Sequence, residues 1–333
     1  MELGVAVVGL GVGEQHARAF VRHESCRLRW LFDLDRRRAQ TVAAALGQGR
    51  IADTLDAIAA DGDTQAVSVA SFDDAHFEQV VALLDARKHV FVEKPLCRST
   101  AELAEIRRRW ERAGQPHVRS NLVLRAAPLY RWLRAEVRSG RLGEIYAFDG
   151  DYLYGRLHKI TDGWRGRVDD YSVMQGGGVH LVDLMMWITG QRPSRVTAAG
   201  NRIATKSTPF RYADFVAATF EFESGLIGRI TANFGCVHRH QHVVRVFGTR
   251  GTLVYDDLGP RLHESRDPAQ TARPLDLAPL PETKGDLIPE FVAGVLEHAD
   301  PAPPFQSELD VISACLAADQ ALAAGTRMDI AYV

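Results

Sequence analysis

The sequence predicts an α/β protein with two parts. Residues 1–120 should form a doubly wound parallel sheet and residues 121–333 an α+β domain. Three observations predict this. A short apolar run, Val5-Ala6-Val7-Val8, leads into the glycine turn Gly9-Leu10-Gly11-Val12-Gly13. Short apolar runs alternate with amphipathic segments as far as residue 120, the pattern of a parallel sheet covered on both faces. Beyond that point the rhythm changes to longer runs that alternate apolar and polar residues, as antiparallel strands do when one face is covered.

The elements follow in order. Val5–Val8 reads as a strand and Glu14–Arg22 as a helix, with Ala17, Phe20 and Val21 on one face. Leu28–Phe32 is a strand ending at Asp33, and the alanine-rich segment Arg36–Leu46 is helical. Ala66–Ala70 is a buried strand, Asp74–Ala86 a helix, and Val90–Val92 the strand that delivers Glu93-Lys94-Pro95. Ser99 and Glu102 have capping-box spacing and open a helix toward Ala113. In the second part, Pro128 starts a helix and Gly140 ends it. Ile145–Tyr154, Arg195–Ala199, Phe215–Phe222, Leu226–Phe234, Val243–Phe247 and Thr252–Tyr255 read as strands. Residues 256–285 read as loops, and Leu287–Leu296 and Glu308–Ala324 as closing helices.

Composition narrows the function. The 333 residues are 46% hydrophobic and 25% charged, and 40 basic against 42 acidic residues leave a net charge of −2. Such a balance argues against binding nucleic acid or a membrane surface by bulk charge. There is no apolar run of membrane-spanning length, and the first strand begins too early to leave room for a signal peptide. Cys26, Cys97, Cys236 and Cys315 are scattered and read as reduced thiols of a cytoplasmic protein.

The chemistry-bearing residues sit at strand ends, where open parallel sheets bind their ligands. Gly9, Gly11, Val12 and Gly13 form a strand-to-helix turn of the kind that admits a pyrophosphate. The third glycine stands two positions after the second rather than three. Asp33 ends the second strand, where a carboxylate accepts hydrogen bonds from an adenosine ribose and repels a 2′-phosphate. NAD is therefore expected ahead of NADP, although Arg36 and Arg37 keep the phosphate option open. The alternative reading of Asp33 is a helix cap. Lys94 is either a solvated loop charge or an ammonium group that favours a developing alkoxide. Gly176-Gly177-Gly178 lead into a helix running to Thr189, with His180 in its first turn and Asp183 three residues on, sharing a face. There the helix end would keep the imidazole neutral, able to take a hydroxyl proton while a carboxylate orients it. His238, His240 and His242 alternate along an expected strand. They read as a polar face or interface, and no metal is expected.

Together these motifs resemble the Gfo/Idh/MocA family, named for glucose–fructose oxidoreductase and inositol dehydrogenase. The resemblance runs through the glycine turn with His16, the His76 helix, Glu93-Lys94-Pro95, Arg125-x-x-Pro128, Gly140-x-x-Gly143, Trp164-Arg165, Gly248-Thr249-x-Gly251 and the last helix. It implies a Rossmann domain, a second domain built on a large, mostly antiparallel sheet that commonly mediates dimers or tetramers, and a nicotinamide cofactor. The implied substrate is a sugar, cyclitol or related polyol, including nucleotide-linked sugars. Ser71, His76 and Glu93 join the glycine turn, Asp33 and Lys94 as cofactor contacts. Arg125, Tyr152, Tyr154, Trp164, Arg165 and Asp183 are expected substrate contacts. Family inositol dehydrogenases use a lysine, an aspartate and a histidine four residues after the aspartate. Lys94 and His180 match, but the aspartate position falls on Gly176, and Asp169 or Asp170 could compensate through a rearranged loop. Two rivals to a CH–OH dehydrogenase are an NAD-dependent glycoside hydrolase of the same family and a non-catalytic dinucleotide sensor. Retention of Lys94 counts against the sensor.

Overall fold

The computed structural model describes residues 2–333 and divides the chain into two compact units. Residues 1–123 and 281–312, with Val333, make the first; residues 124–280 and 313–332 make the second. The helical segment after residue 281 thus packs with the N-terminal unit, although it follows the second unit's sheet in sequence.

In the first unit six strands lie in the order β3-β2-β1-β4-β5-β6, all parallel. They are β1 (Leu3–Val8), β2 (Cys26–Phe32), β3 (Arg50–Ile51), β4 (Ala66–Val69), β5 (His89–Val92) and β6 (Val118–Ser120). β1, β4 and the last three residues of β5 are buried throughout, as strands covered on both faces must be. The helices are α1 (Gly13–Arg22), α2 (Arg36–Leu46), α3 (Leu55–Ala60), α4 (His76–Asp85) and α5 (Thr100–Arg112). The expected helix from Asp74 is a short 3₁₀ turn, Asp73–Ala75, that runs into α4. At α5 the Ser99 hydroxyl accepts the Glu102 N–H at 3.2 Å. The Glu102 carboxylate reaches back to the Arg98 N–H at 2.7 Å, one residue earlier than a capping box predicts. β3, α3 and β6 are too short to show a period in the sequence.

The second unit opens with α6 (Pro128–Arg138), begun by its proline, and β7 (Ile145–Leu153). After α7 (His158–Thr161) and α8 (Val179–Thr189) come β8 (Arg195–Asn201), β9 (Phe215–Glu221), β10 (Ile227–Asn233), β11 (Gln241–Gly248) and β12 (Thr252–Asp256). β13 (Gly259–His263) and β14 (Arg273–Pro274) lie within the stretch expected to be loop. α9 (Ile288–Leu296) and α10 (Ala302–Ala324) precede β15 (Met328–Asp329). α10 begins six residues before the expected Glu308. The sheet has nine strands in the order β14-β13-β12-β11-β7-β10-β9-β8-β15, antiparallel everywhere except at the β7–β10 pair.

One face of this sheet is covered by α8. A Cβ added to Gly228 of β10 would lie 2.1 Å from the Met185 sulfur, so the glycine lets that helix settle on the sheet. Ile230 and Ala232 bury on the same side. The other face carries Ile227 and Arg229, with Arg229 paired to Asp149 and Arg245 to Asp151 across neighbouring strands. Among the described residues no helix is long and apolar enough to cross a membrane.

Candidate active site

In the first unit, β1 stops at Val8 and α1 starts at Gly13, so Gly9 to Val12 form the turn. Gly9 has φ +80°, and a Cβ there would lie 2.6 Å from the backbone of Ala70. A Cβ on Gly11 would have nothing within 4 Å, while one on Gly13 would press on Val7 and Ala70 at 3.0 and 3.1 Å. The turn therefore packs tightly beneath and stays open at Gly11. Val12 occupies the N-cap of α1 and has no side-chain acceptor, so the helix's first N–H groups are left for an anion. These features fit the pyrophosphate of NAD despite the shortened glycine spacing.

Asp33 is tied to this turn. Its Oδ2 accepts the Leu10 N–H at 2.7 Å and its Oδ1 the Asp35 N–H at 2.8 Å. Each carboxylate oxygen keeps a further lone pair for a ribose hydroxyl. α2 is capped by Asp35, whose side chain accepts from Arg37 and Arg38, so Asp33 is not the helix cap. Arg36 pairs with Asp53, and the guanidinium that approaches Asp33 is Arg38, at 3.6 Å.

The strand-end residues form a second layer. His16 is fully buried on α1, its Nδ1 2.9 Å from the Ser68 hydroxyl and its Nε2 3.3 Å from Glu93 Oε1. Asn121, just past β6, donates from Nδ2 to Glu93 Oε1 at 2.7 Å and to the Lys284 carbonyl at 2.8 Å. Burial alone would raise the Glu93 carboxyl. The His16 and Asn121 hydrogen bonds and the Lys94 charge outweigh it and hold the group down to about 2. The Lys94 N–H lies 3.3 Å from Glu93 Oε2, and the Lys94–Pro95 peptide is cis. His76 braces this segment: its Nδ1 is 2.7 Å from the Pro95 carbonyl and its Nε2 3.3 Å from the Ser71 carbonyl. The Ser71 hydroxyl donates to Gln79 at 2.6 Å.

In the second unit the glycine run does not start a helix, and this corrects one expectation. Met174–Gly178 is a π-helical turn continuous with α8, and Val173 is already helical. His180 is therefore well inside the helix and not in its first turn, so the end charge that would hold the imidazole neutral is not beside it. The glycines serve close packing. A Cβ on Gly177 would lie 2.3 Å from the Tyr152 ring, and one on Gly176 2.2 Å from the Tyr171 hydroxyl.

His180 is buried among rings. Tyr152 stacks on it with centroids 6.3 Å apart, and His242 meets it edge-on at 5.7 Å. Tyr154 stacks on Tyr152 at 5.9 Å, and His240 and Phe234 pack on both tyrosines. Burial pushes the Tyr152 phenol well up, Tyr154 and Tyr171 add to this, and Arg165 and Arg156 partly oppose it. Tyr152 is thus a neutral hydroxyl at any physiological pH.

The three alternating histidines do not share one side. β11 begins only at Gln241, so His238 lies in the preceding turn with its Nε2 3.1 Å from Asp257, while His240 and His242 turn to Tyr152. Among the described residues no group of three or more His, Cys, Asp or Glu side chains is placed to hold a metal ion.

Asp183 and Arg125 form a buried ion pair, Arg125 Nε reaching the two carboxylate oxygens at 2.9 and 3.1 Å. Arg165 lies 4.4 Å over the Trp164 ring and donates from Nε to the Tyr171 hydroxyl at 3.1 Å. Asp169 is fully exposed and pairs with Arg211, and the Asp170 N–H reaches the Tyr212 hydroxyl. A carboxylate does underlie the π turn. Asp319 of α10 accepts from the Ser172 hydroxyl and from Gln175 Nε2, each at 2.7 Å. Burial raises its carboxyl to about 6, against the lowering effect of those two hydrogen bonds.

Sequence reasoning missed Asn121, Tyr171, Phe234 and Asp319. Asn121 had a signal, since it follows a strand end as Lys94 does. The other three come from the end of β10, a loop and the last helix, and only the fold brings them to the π turn.

Comparison with known proteins agrees with this geometry. Residues 3–120 match the family model described as oxidoreductase family, NAD-binding Rossmann fold, and residues 130–254 the GFO/IDH/MocA C-terminal domain. The chain is 26% identical over 288 residues to inositol 2-dehydrogenase 2 of Saccharopolyspora erythraea, covering 80% of this chain and 82% of that one. It is 30% identical over 207 residues to the inositol 2-dehydrogenase of Acidothermus cellulolyticus, covering 62% and 59%. The structure of a levoglucosan dehydrogenase in complex with NADH superposes over 100% of both chains with a TM-score of 0.87 at 19% identity.

Proposed function

The chain belongs to the Gfo/Idh/MocA family of oxidoreductases, and from that premise we propose that it oxidises a secondary alcohol of a cyclitol or sugar, or reduces the matching ketone. It is an NAD-dependent enzyme acting on CH–OH groups. The bound dinucleotide supplies the hydride acceptor. The protein's own residues hold, orient and move the proton. Gly9, Gly11, Val12, Gly13 and Asp33 cradle the dinucleotide, and Ser71, His76 and Glu93 shape the turns around it. His180 takes the hydroxyl proton, and the Lys94 ammonium favours negative charge on the substrate oxygen. Tyr152, Tyr154, Trp164 and Arg165 line the substrate's place. Arg125 and Asp183, closed on each other, brace α8 beneath His180.

The observation that carries the reading is the His180 imidazole set among ring faces and phenol hydroxyls. Ring faces suit the C–H faces of a cyclitol or pyranose, and hydroxyls suit its oxygens. We assign cofactor binding to residues 1–120, substrate binding and assembly to residues 121–333, a homodimer or homotetramer through the open face of the nine-stranded sheet, and a cytoplasmic location. The test is a panel of cyclitols and sugars, myo-inositol and levoglucosan among them, with NAD and NADP, followed by NADH or NADPH absorbance. NAD reduction by at least one of them is expected. A protein that binds NAD yet turns over none of the panel would sink the reading.

A further inference from the structure

We propose that Asp319 is a positioning residue for the substrate site: through Ser172 and Gln175 its carboxylate sets the π turn on which the Tyr152 ring rests against His180. This rests on the polyol dehydrogenase reading above.

A π turn is uncommon within a helix and needs support from outside it. Here it is Met174–Gly178, closed by the Val179 N–H on the Met174 carbonyl. Its entry is built on Ser172. The Ser172 hydroxyl oxygen accepts the Gln175 N–H at 3.1 Å, and the Ser172 carbonyl accepts the Gly176 N–H at 2.8 Å. Asp319 of α10 orients both side chains: the Ser172 hydroxyl donates to Oδ1 and Gln175 Nε2 to Oδ2, each at 2.7 Å. An ionised carboxylate accepts on both oxygens and donates from neither, so the direction of both hydrogen bonds is fixed. The Ser172 proton is turned toward α10, and a lone pair is left for the Gln175 N–H. An amide or a protonated carboxyl would offer a donor at one of the two places. The turn passes its position on without slack. A Cβ on Gly177 would lie 2.3 Å from the Tyr152 ring, so that ring rests on the turn's backbone, and it stacks on His180. A turn that relaxes therefore shifts Tyr152 against His180. The carboxylate is kept at a cost. Burial and the charge of Asp170, from the loop before the turn, oppose its ionisation, and the two donors favour it. The Cys315 thiol, one turn back on α10, feels both Asp319 and Asp183, and Asp183 is paired with Arg125. Perturbed carboxylates of this kind concentrate at functional sites.

Asp319→Asn and Ser172→Ala test this with myo-inositol or levoglucosan, whichever the wild type oxidises faster. At pH 7 each should raise KM about 10-fold, the size of one lost hydrogen bond to a charged group. kcat should fall by less, and NAD affinity should stay unchanged. The melting temperature of Asp319→Asn at pH 7 should not fall, so loss of the fold cannot account for the change. The pH profile separates positioning from packing. Wild-type KM should rise as pH falls from 7 to 5, toward the value of Asp319→Asn, whose own KM should stay flat. Protonation of His180 acts on both enzymes alike and drops out of the comparison. If Asp319→Asn does not fold, Ser172→Ala, which keeps the carboxylate, decides alone. KM within twofold of wild type at pH 7, or the same rise toward pH 5 in Asp319→Asn as in wild type, overturns the inference and leaves the dehydrogenase reading standing. A wild type that binds NAD and oxidises neither compound overturns that reading, and the inference with it.

Discussion

Glu93 Oε1 lies 3.3 Å from the Nε2 of fully buried His16, and the same oxygen accepts the Asn121 side-chain N–H at 2.7 Å. Residues from the first helix, the end of β5 and the end of β6 therefore meet on one carboxylate. Glu93 precedes Lys94, whose backbone N–H lies against its other oxygen. The charge on Glu93 thus holds in shape the turn that carries the lysine.

Glu93→Gln should show what that charge contributes. The folded carboxyl is held at about 2, below its ordinary 4.5, so the folded state favours the ionised form. The stabilisation is fully present above pH 4.5 and is lost as pH falls from 4.5 toward 2. Gln keeps the shape and the Asn121 hydrogen bond but not the charge. Unfolding in denaturant at pH 7 should show a loss of up to about 3 kcal/mol, shrinking below pH 4. A loss that stays the same at pH 3 would mean that packing and not charge is responsible.

Asp33 is hydrogen-bonded to the Leu10 N–H of the glycine turn and has Arg38 3.6 Å away. Removing the carboxylate should do two things. A 2′-phosphate is no longer repelled, and Arg38 is released to pair with it. Asp33→Ser should narrow or reverse the preference for NAD, measured as the ratio of kcat/KM for the two cofactors. Arg38→Ala in that background should restore part of the preference. An unchanged ratio in Asp33→Ser would remove Asp33 from cofactor choice.

Asp319 makes a prediction of opposite sign. Its folded carboxyl is raised to about 6 from 3.8, so ionisation costs the fold. The cost is absent below pH 3.8, grows between 3.8 and 6, and is complete above 6. Asn can still accept from Gln175 and can donate to Ser172. Asp319→Asn should therefore raise stability at pH 7, by up to about 3 kcal/mol, and leave it unchanged near pH 4. Thermal melts at the two pH values check this, and a variant less stable at pH 7 but not near pH 4 would show that the charge itself holds the π turn.

The first unit was legible because its signals are local. Apolar β1, β4 and β5 and the turn residues after them carry the parallel order and the ligand edge in a few residues each. The second unit was legible as alternating strands, but not in its site. Gly176 to Gly178 looked like a helix start because three glycines lack any helix preference. The reason at Gly176 and Gly177 is Tyr171, Tyr152 and Phe234, which lie five to fifty-seven positions away in sequence and occupy the space beside them. Asp183 read as sharing a face with His180 by its i, i+3 spacing, but the spacing gave no sign that its carboxylate also pairs with Arg125 from the segment before α6. Spacing along one helix cannot weigh a partner brought from another element.

His180→Ala and Lys94→Ala bear on the chemistry itself. His180 is the second residue of α8, but the π turn Met174–Gly178 carries the helix on before it, and the imidazole is stacked on Tyr152 and edge-on to His242. If it is the proton acceptor, its environment and not the helix end must set its proton affinity, and Tyr152, held neutral by burial, cannot replace it at ordinary pH. His180→Ala should lower kcat about 10²–10⁴-fold, the usual cost of a positioned acid–base group. NAD affinity, which belongs to the glycine turn and Asp33, should hardly change. Lys94→Ala should lower kcat comparably, and Lys94→Arg, which keeps the charge on a different shape, should recover only part. His242→Ala separates the chemistry from the packing. It removes the edge-on ring but no proposed proton acceptor, so it should raise KM more than it lowers kcat. Near-wild-type kcat in His180→Ala with a verified substrate would remove His180 from the mechanism and leave the proton to Lys94 with Tyr154.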